Sequence, residues 1–99
     1  MRDEHLVHPG KLGITCTSGV FWTDEFDGVW RTQNGSYEKA EYVLVVSSPV
    51  LLKITQYLDR WCYKVLIGEK LRWIKVTDIL DPYFDGARTC LNPIPIPNF

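Results

Sequence analysis

Residues with the chemistry for catalysis or metal binding are sparse in this sequence, and the first candidate is a metal site near the N-terminus. His5 and His8 stand close to Asp3 and Glu4, and imidazole and carboxylate groups are common metal ligands. A second ligand cluster at a matching spacing does not follow in the sequence. We therefore interpret this stretch as a charged arm and predict no metal or other cofactor.

A nucleophile and a cation site are two further candidates. Cys16 with either histidine would form a thiol–imidazole pair, but a single cysteine on a strand is usually a small buried apolar residue. Asp24, Glu25 and Asp27 form an acidic run without the alternating oxygen ligands and closing glutamate of a calcium loop. We predict a solvated acidic loop and a protein that is not an enzyme.

The stronger functional signal is aromatic. Phe, Trp and Tyr make up 13% of the chain, and large rings that exceed the needs of one small core mark binding surfaces when they stand beside charges. We predict a binding patch of Trp22, Phe26, Trp30 and Trp73, with Lys64 beside Trp73. The alternative interpretation is that two or three of these rings fill the core.

Two kinds of partner fit such a patch. The acids at residues 24–27 favour a basic or proline-containing segment of a protein. Basic residues of the second half favour single-stranded nucleic acid, whose bases stack on aromatic rings. The formal net charge of −1 gives no counterion-release drive toward nucleic acid. We predict a protein or peptide partner and keep a nucleic-acid-binding barrel as the alternative. The basic residues are Lys53, Arg60, Lys64, Lys70, Arg72 and Lys75.

Composition and cysteine use are typical of a small cytoplasmic domain. The chain of 99 residues is 45% hydrophobic and 23% charged, which is ordinary for a folded soluble protein. No apolar run approaches the roughly 20 residues of a membrane span, so we predict no membrane association. The charged N-terminus does not resemble a signal peptide. Three widely spaced cysteines predict reduced thiols and a cytoplasmic location.

Strands must position the patch, and the clearest are residues 61–67 and 71–78. They are rich in β-branched and aromatic residues, and Gly68-Glu69 between them fits a two-residue type II′ turn. The turn sets the register, which pairs Tyr63 with Ile74 and Lys64 with Trp73. Trp73 then lies on the face away from the core, where we expect it to be at least partly exposed. The predicted core face carries Trp61, Tyr63, Val65, Ile67, Ile74 and Val76.

The remaining segments are less regular. We predict strands at residues 11–17 and 41–48, with Val45 in the core. Residues 18–40 lack clear periodicity and are predicted to form a long aromatic and acidic loop that contains a turn at Asn34-Gly35. Residues 50–59 fit a helix or a strand, and a hairpin connection or strand extension is favoured. Residues 78–84 are predicted to form a short 3₁₀ turn that places Ile79 and Tyr83 on the core.

The resulting order of elements across residues 10–84 resembles the SH3-like small barrel. The resemblance rests on this order and on the segment YKVLIGEKLRWIKVTDI, residues 63–79, which is similar to short uncharacterised proteins of tailed bacteriophages, including cyanophages. It implies a mostly β fold in which this segment forms the last hairpin, and a phage-encoded interaction module in the host cytosol. Eukaryotic SH3 domains carry an Ala-Leu-Tyr-Asp-Tyr strand that has no match here, so no proline-motif ligand residues are assigned.

The predicted domain organisation has three parts. Residues 1–9 form an N-terminal arm, residues 10–86 the SH3-like barrel, and residues 87–99 an extended C-terminal tail. The tail carries proline at alternate positions, which prevents a helix and favours an extended or polyproline II form.

Overall fold

The computed structural model describes residues 6–82, which form eight antiparallel β-strands and one 3₁₀ turn and contain no α-helix. The predictions for His5, Tyr83, Cys90 and the C-terminal tail lie outside the described residues. The elements are β1 (Leu12–Thr15), β2 (Gly19–Asp27), β3 (Trp30–Tyr37), β4 (Tyr42–Val45), β5 (Val50–Thr55), β6 (Leu58–Ile67), β7 (Lys70–Lys75), the 3₁₀ turn (Val76–Asp78) and β8 (Ile79–Leu80).

The strands form one sheet that curls into a ring. Neighbouring strands follow the order β5-β3-β2-β7-β6-β4-β1-β8, and β5 also pairs with β6. Because of this extra pairing, β5, β3, β2, β7 and β6 close on themselves, while β4, β1 and β8 continue from β6. Two of the closures rest on single residue pairs. Trp22 pairs with Trp73 between β2 and β7, and Trp30 pairs with Thr55 between β3 and β5.

The β6–β7 hairpin has the predicted register. Tyr63 pairs with Ile74 and Lys64 with Trp73. Gly68 has a φ of 59° and Glu69 does not have a positive φ, which fits a type II′ turn. The predicted register, carried further, would pair Trp61 with Val76, but this pair does not form, because β7 ends at Lys75 and Val76 begins the 3₁₀ turn.

Buried side chains cover both faces of this hairpin. On the predicted core face, Tyr63, Val65 and Ile74 are fully buried in one cluster, which confirms these three core positions. The prediction is wrong for Trp61 and Ile67, which are 48% and 37% exposed. Val45 is fully buried in the same cluster and Val76 is partly buried against it. On the opposite face a second cluster lies inside the ring. Its members are Trp22, Leu52, Ile54, Cys62 and Trp73.

The expectation that Trp73 is at least partly exposed is therefore wrong. Its side chain is 8% exposed, because β2 and β5 fold over the face that a free hairpin would leave open. Each of these strands brings buried residues to the second cluster, Trp22 from β2 and Leu52 from β5.

Residues 18–40 form a long hairpin, β2–β3, instead of the predicted loop. Its two-residue turn is Gly28-Val29, between the paired residues Asp27 and Trp30. The predicted turn at Asn34-Gly35 is wrong, since both residues lie within β3. The register there shifts by one residue and Gly35 has a φ of 86°, the left-handed conformation that glycine supplies at a β-bulge.

The other uncertain segments are also resolved. Residues 50–59 form β5, a two-residue turn and the start of β6, so the strand alternative is confirmed. Val7, in the predicted arm, is buried in the first cluster, and its backbone N–H donates to the Tyr63 hydroxyl over 2.9 Å. The 3₁₀ turn begins at Val76, earlier than predicted, and Ile79 after it is buried as expected.

Candidate functional site

Trp73 lies at the centre of the contacts among the predicted patch residues. Its indole Nε1 donates a hydrogen bond to Asp24 Oδ1 over 2.6 Å. The Lys64 ammonium lies 5.2 Å from the centre of the Trp73 ring, within the range of a cation–π contact. Trp73 is also the strand partner of Trp22. The buried Trp73 indole thus positions the Asp24 carboxylate and the Lys64 ammonium where β2 meets β7.

Trp22 is a core residue and not an accessible platform. It is 7% exposed, and its indole Nε1 is fully buried with no hydrogen-bond acceptor among the described residues. An unpaired buried donor costs roughly 1–3 kcal/mol. The packing of the second cluster therefore holds Trp22 in place against this cost.

The acidic residues lie on a bulge of β2 that two threonines close. Between the pairs Trp22–Gln33 and Phe26–Arg31, β2 has three residues where β3 has one. The hydroxyls of Thr23 and Thr32 share a hydrogen bond. Glu25 N–H donates to Thr23 Oγ1 over 3.1 Å, and Thr32 Oγ1 donates to the Glu25 carbonyl over 3.3 Å. This cycle keeps the side chains of Asp24 and Glu25 exposed.

Four large apolar side chains are exposed where two hairpins end side by side. Phe26, Val29 and Trp30 lie in or beside the β2–β3 turn, with exposures of 44%, 46% and 58%. Tyr57, in the β5–β6 turn, is 90% exposed. The pairing of Trp30 with Thr55 brings the two turns together. We call Phe26, Val29, Trp30 and Tyr57 the hairpin-tip cluster.

Arg31 supports this cluster from the inside. It is 9% exposed, its Nε donates to the Lys53 carbonyl over 2.6 Å, and its Nη1 donates to the Thr23 carbonyl over 2.8 Å. Its guanidinium lies 4.6 Å from the centre of the Phe26 ring. Arg31 thus links β2, β3 and β5 and positions Phe26.

A second apolar surface lies on the outer face of β5–β6. Leu51 and Trp61 are strand partners with exposures of 50% and 48%. With Arg60, Lys75 and neighbouring residues they line an open groove of about 390 Å³. β7 ends at Lys75, before it reaches the position opposite Trp61.

The buried side chains of Cys62 and Tyr37 stay protonated at neutral pH. Burial raises the pKa of Cys62 to about 11, so its thiol is not a nucleophilic thiolate near pH 7. Burial, together with a hydrogen bond to Asp78, raises the pKa of Tyr37. The Lys75 ammonium lies 3.8 Å from the same Asp78 carboxylate.

Residues 6–82 contain neither a metal-ligand cluster nor a membrane-spanning helix. This part of the chain contains no group of three or more His, Cys, Asp or Glu side chains placed to hold a metal ion. It also contains no helix that is long and apolar enough to cross a membrane.

Comparison of the chain with protein-family models, with curated protein sequences and with solved structures found no match in any of the three.

The structure divides the predicted patch into two places. Trp22, Trp73 and Lys64 meet at the closure of β2 on β7, with both indoles buried. Phe26 and Trp30 lie at the hairpin tips and are exposed. That any of these residues binds a partner stays a prediction.

Sequence reasoning did not identify Val29, Tyr57 and Leu51 as exposed apolar residues, and it placed the exposed Trp61 in the core. The alternation of buried Leu52 and Ile54 with exposed Leu51 and Lys53 was the signal for strand β5. A strand there would have placed Tyr57 in a turn and Leu51 on an outer face.

Proposed function

We propose that this chain is a non-enzymatic protein-interaction module of SH3-like architecture that docks on another protein through the hairpin-tip cluster. The order of strands supports the architecture. β8, β1, β4, β6 and β7 are neighbours in that order, and the 3₁₀ turn separates β7 from β8. The β2–β3 hairpin occupies the position of the long insertion after the first strand.

The exposure of the hairpin-tip cluster is the observation that carries the docking role. Single exposed apolar residues are normal on a protein surface, whereas several that are exposed together, as at these two adjoining turns, indicate an interaction site. Three of the four members are aromatic, and aromatic side chains dominate the binding energy of protein interfaces. Trp30 and Tyr57 are the most exposed of them, so they are the proposed anchors.

The charges around the cluster favour a basic partner. Glu25 and Asp27 are exposed beside it. Two cations of the neighbouring strands β3 and β5 are engaged, since Arg31 donates to backbone carbonyls and Lys53 forms an ion pair with Asp59 at 3.5 Å. Complementary charge steers association and selects between partners. A segment that carries Lys or Arg next to apolar side chains fits this surface.

The similarity of residues 63–79 to short proteins of tailed bacteriophages supports a phage origin and a place of action in the host cytosol. In this proposal the chain is one component of an assembly and contributes a docking surface. The partner is then a protein of the phage or of its bacterial host.

The second candidate function is binding of single-stranded nucleic acid, and the groove beside Trp61 favours it. Trp61 offers an exposed ring, and Arg60 and Lys75 line the same groove. Stacking of a base on an aromatic residue contributes about 1–3 kcal/mol. The acids of the β2 bulge and the net charge of −1 oppose this function.

The test compares a Trp30→Ser, Tyr57→Ser double variant with the Trp61→Ser variant as a matched control for an exposed tryptophan elsewhere. Proteins retained from a bacterial host lysate are identified, purified and titrated against each variant. We expect the double variant to weaken binding at least about tenfold, or about 1.4 kcal/mol, and the control to leave it unchanged. Equal binding by all three proteins rejects docking at the hairpin tips.

A labelled single-stranded oligonucleotide tests the alternative at low and moderate salt. Protein docking predicts no binding. Tight binding that weakens steeply with salt, and that is lost in Lys64→Ala or Lys75→Ala, would replace the protein partner with nucleic acid.

A further inference from the structure

The ring of strands has a gap beside β7. β2 meets β7 at one pair, Trp22 with Trp73, and toward the β6–β7 turn the bulge takes β2 away from it. A groove of about 480 Å³ lies there, lined by Asp24 and Glu25 on one wall and by Leu71 and Arg72 on the other. A second cavity of about 150 Å³ adjoins it and shares Arg72.

The edge of β7 in this gap has a backbone donor directed outward. In a hairpin with a two-residue turn, Ile67 and Lys70 exchange the first hydrogen bonds, and the pattern then alternates. Leu71 therefore directs its N–H and C=O away from β6, as Trp73 does toward Trp22. The Leu71 carbonyl accepts a hydrogen bond from Arg72 Nη1 over 2.7 Å, which agrees with an outward orientation.

β2 does not pair with β7 in the gap, and backbone groups of Thr23 and Glu25 in its bulge are already engaged. Glu25 uses its N–H and its carbonyl in the threonine cycle, and the Thr23 carbonyl accepts from Arg31. Asp24 is held by the Trp73 indole. The bulge is a wall of fixed shape, while the edge of β7 at Lys70–Arg72 has no strand partner on that side among residues 6–82.

We propose that this gap is a strand-addition site for an extended segment of a partner protein with alternating basic and acidic side chains. Added strands gain affinity from backbone hydrogen bonds and specificity from alternate side chains. On the Leu71 side of β7 an added side chain meets Asp24 and Glu25, so a Lys or Arg fits. On the other side it meets Lys70 and Arg72, so an Asp or Glu fits.

This site is separate from the hairpin-tip cluster and goes beyond the proposed function. The groove residues lie along β7, whereas Trp30 and Tyr57 lie at the turns of other hairpins. A partner segment at β7 would extend the β6–β7 ladder by one strand. It would displace the Arg72 guanidinium from the Leu71 carbonyl and free it for an acidic side chain.

The test begins with a random-peptide display library selected on the full-length protein. We expect enrichment of peptides in which basic and acidic residues alternate, and the selected peptide is then titrated. Glu25→Lys should weaken its binding by about tenfold or more. Glu38→Lys is the matched control, since Glu38 is an exposed acid outside the groove, and it should bind as the unaltered protein does.

Two further measurements identify the mode of binding. Leu71→Pro removes the outward N–H, which an edge position tolerates, and should abolish binding. In the unaltered protein, the bound peptide should slow hydrogen exchange of the Leu71 amide by about tenfold or more. The Trp30→Ser, Tyr57→Ser variant should bind the peptide normally, which separates this site from the hairpin-tip cluster.

Several outcomes overturn the proposal. They are a selection that enriches no peptide, peptides without alternating charge, and binding that Glu25→Lys and Leu71→Pro leave intact. A dimer in sedimentation experiments that Leu71→Pro dissociates would instead assign the gap to a second copy of this chain.

Discussion

The indole nitrogen of Trp73 and the carboxylate of Asp24, 49 positions apart in the chain, are joined by a hydrogen bond of 2.6 Å. The bond lies beside the single residue pair that connects β2 to β7. The bond therefore strengthens the connection between β2 and β7, which otherwise depends on one pair of backbone partners. The same contact fixes one wall of the groove along β7.

Asp24→Ala should destabilise the protein through this bond. The indole N–H would lose its acceptor in a partly buried site, which costs about 1–3 kcal/mol in free energy of unfolding. Urea denaturation measures the loss. Glu25→Ala, a change at the exposed neighbouring acid, is the matched control and should stay within about 0.5 kcal/mol of the unaltered protein. Similar losses in both variants would contradict a structural role for the Asp24–Trp73 bond.

Ile74→Ala tests the first core cluster. Ile74 is fully buried between strands, so removing its outer atoms leaves a cavity and should cost about 2–5 kcal/mol. Leu71→Ala on the same strand is the control, because Leu71 is 47% exposed. Its effect on the urea midpoint should be small. A loss at Leu71 as large as that at Ile74 would mean that the faces of β7 are assigned wrongly.

Because Cys62 is buried, we expect the free energy of unfolding to fall at alkaline pH. Burial raises the pKa of its thiol from 9 to about 11. Below pH 9 the thiol is protonated in the folded and the unfolded state, so its contribution is complete. Between pH 9 and 11 the unfolded thiolate forms first, and the free energy of unfolding should fall by up to about 3 kcal/mol.

Urea denaturation across pH 7–11 measures this fall, with Cys62→Ala as the comparison. Tyr37 and Tyr63, whose pKa values burial also raises, add their own loss above pH 10 in both proteins. The difference between the two pH profiles isolates the thiol. Parallel profiles would show that Cys62 keeps an ordinary pKa.

Thiol titration tests the redox state of the cysteines. Cys16 and Cys62 are thiols in the structure, and Cys90 lies outside the described residues. The unreduced protein, titrated after denaturation, should give three equivalents, in keeping with the three cysteines of the chain. In the native protein the buried Cys62 should react slowly. A single equivalent would reveal a disulfide and an oxidising compartment.

The sequence predicted the β6–β7 hairpin well and the β2–β3 hairpin poorly, for one physical reason. The register of β6–β7 depends on local information, namely the alternation of side chains and the glycine at position 68. In β2–β3 the register shifts twice. The bulges at Asn34-Gly35 and at residues 23–25 therefore interrupt the alternation from which a strand is predicted.

The candidate site was predicted in its residue types but not in its arrangement. The aromatic excess pointed to Trp30 and Phe26, which are exposed, and to Trp22 and Trp73, which are buried. Tyr57 was missed because the segment that carries it was left open between helix and strand. The exposure of an aromatic side chain depends on which strands pack over it, and the local sequence does not contain that information.

The amino-acid sequence by itself determined a mostly β chain, the register of its last hairpin, and the core positions Val45, Val65 and Ile74. These follow from short-range alternation and turn chemistry, which act within a few residues. Only the tertiary structure decided that the second face of that hairpin is also a core. The reason is that β2 and β5, distant in the chain, close over it through Trp22 and Leu52 and bury Trp73.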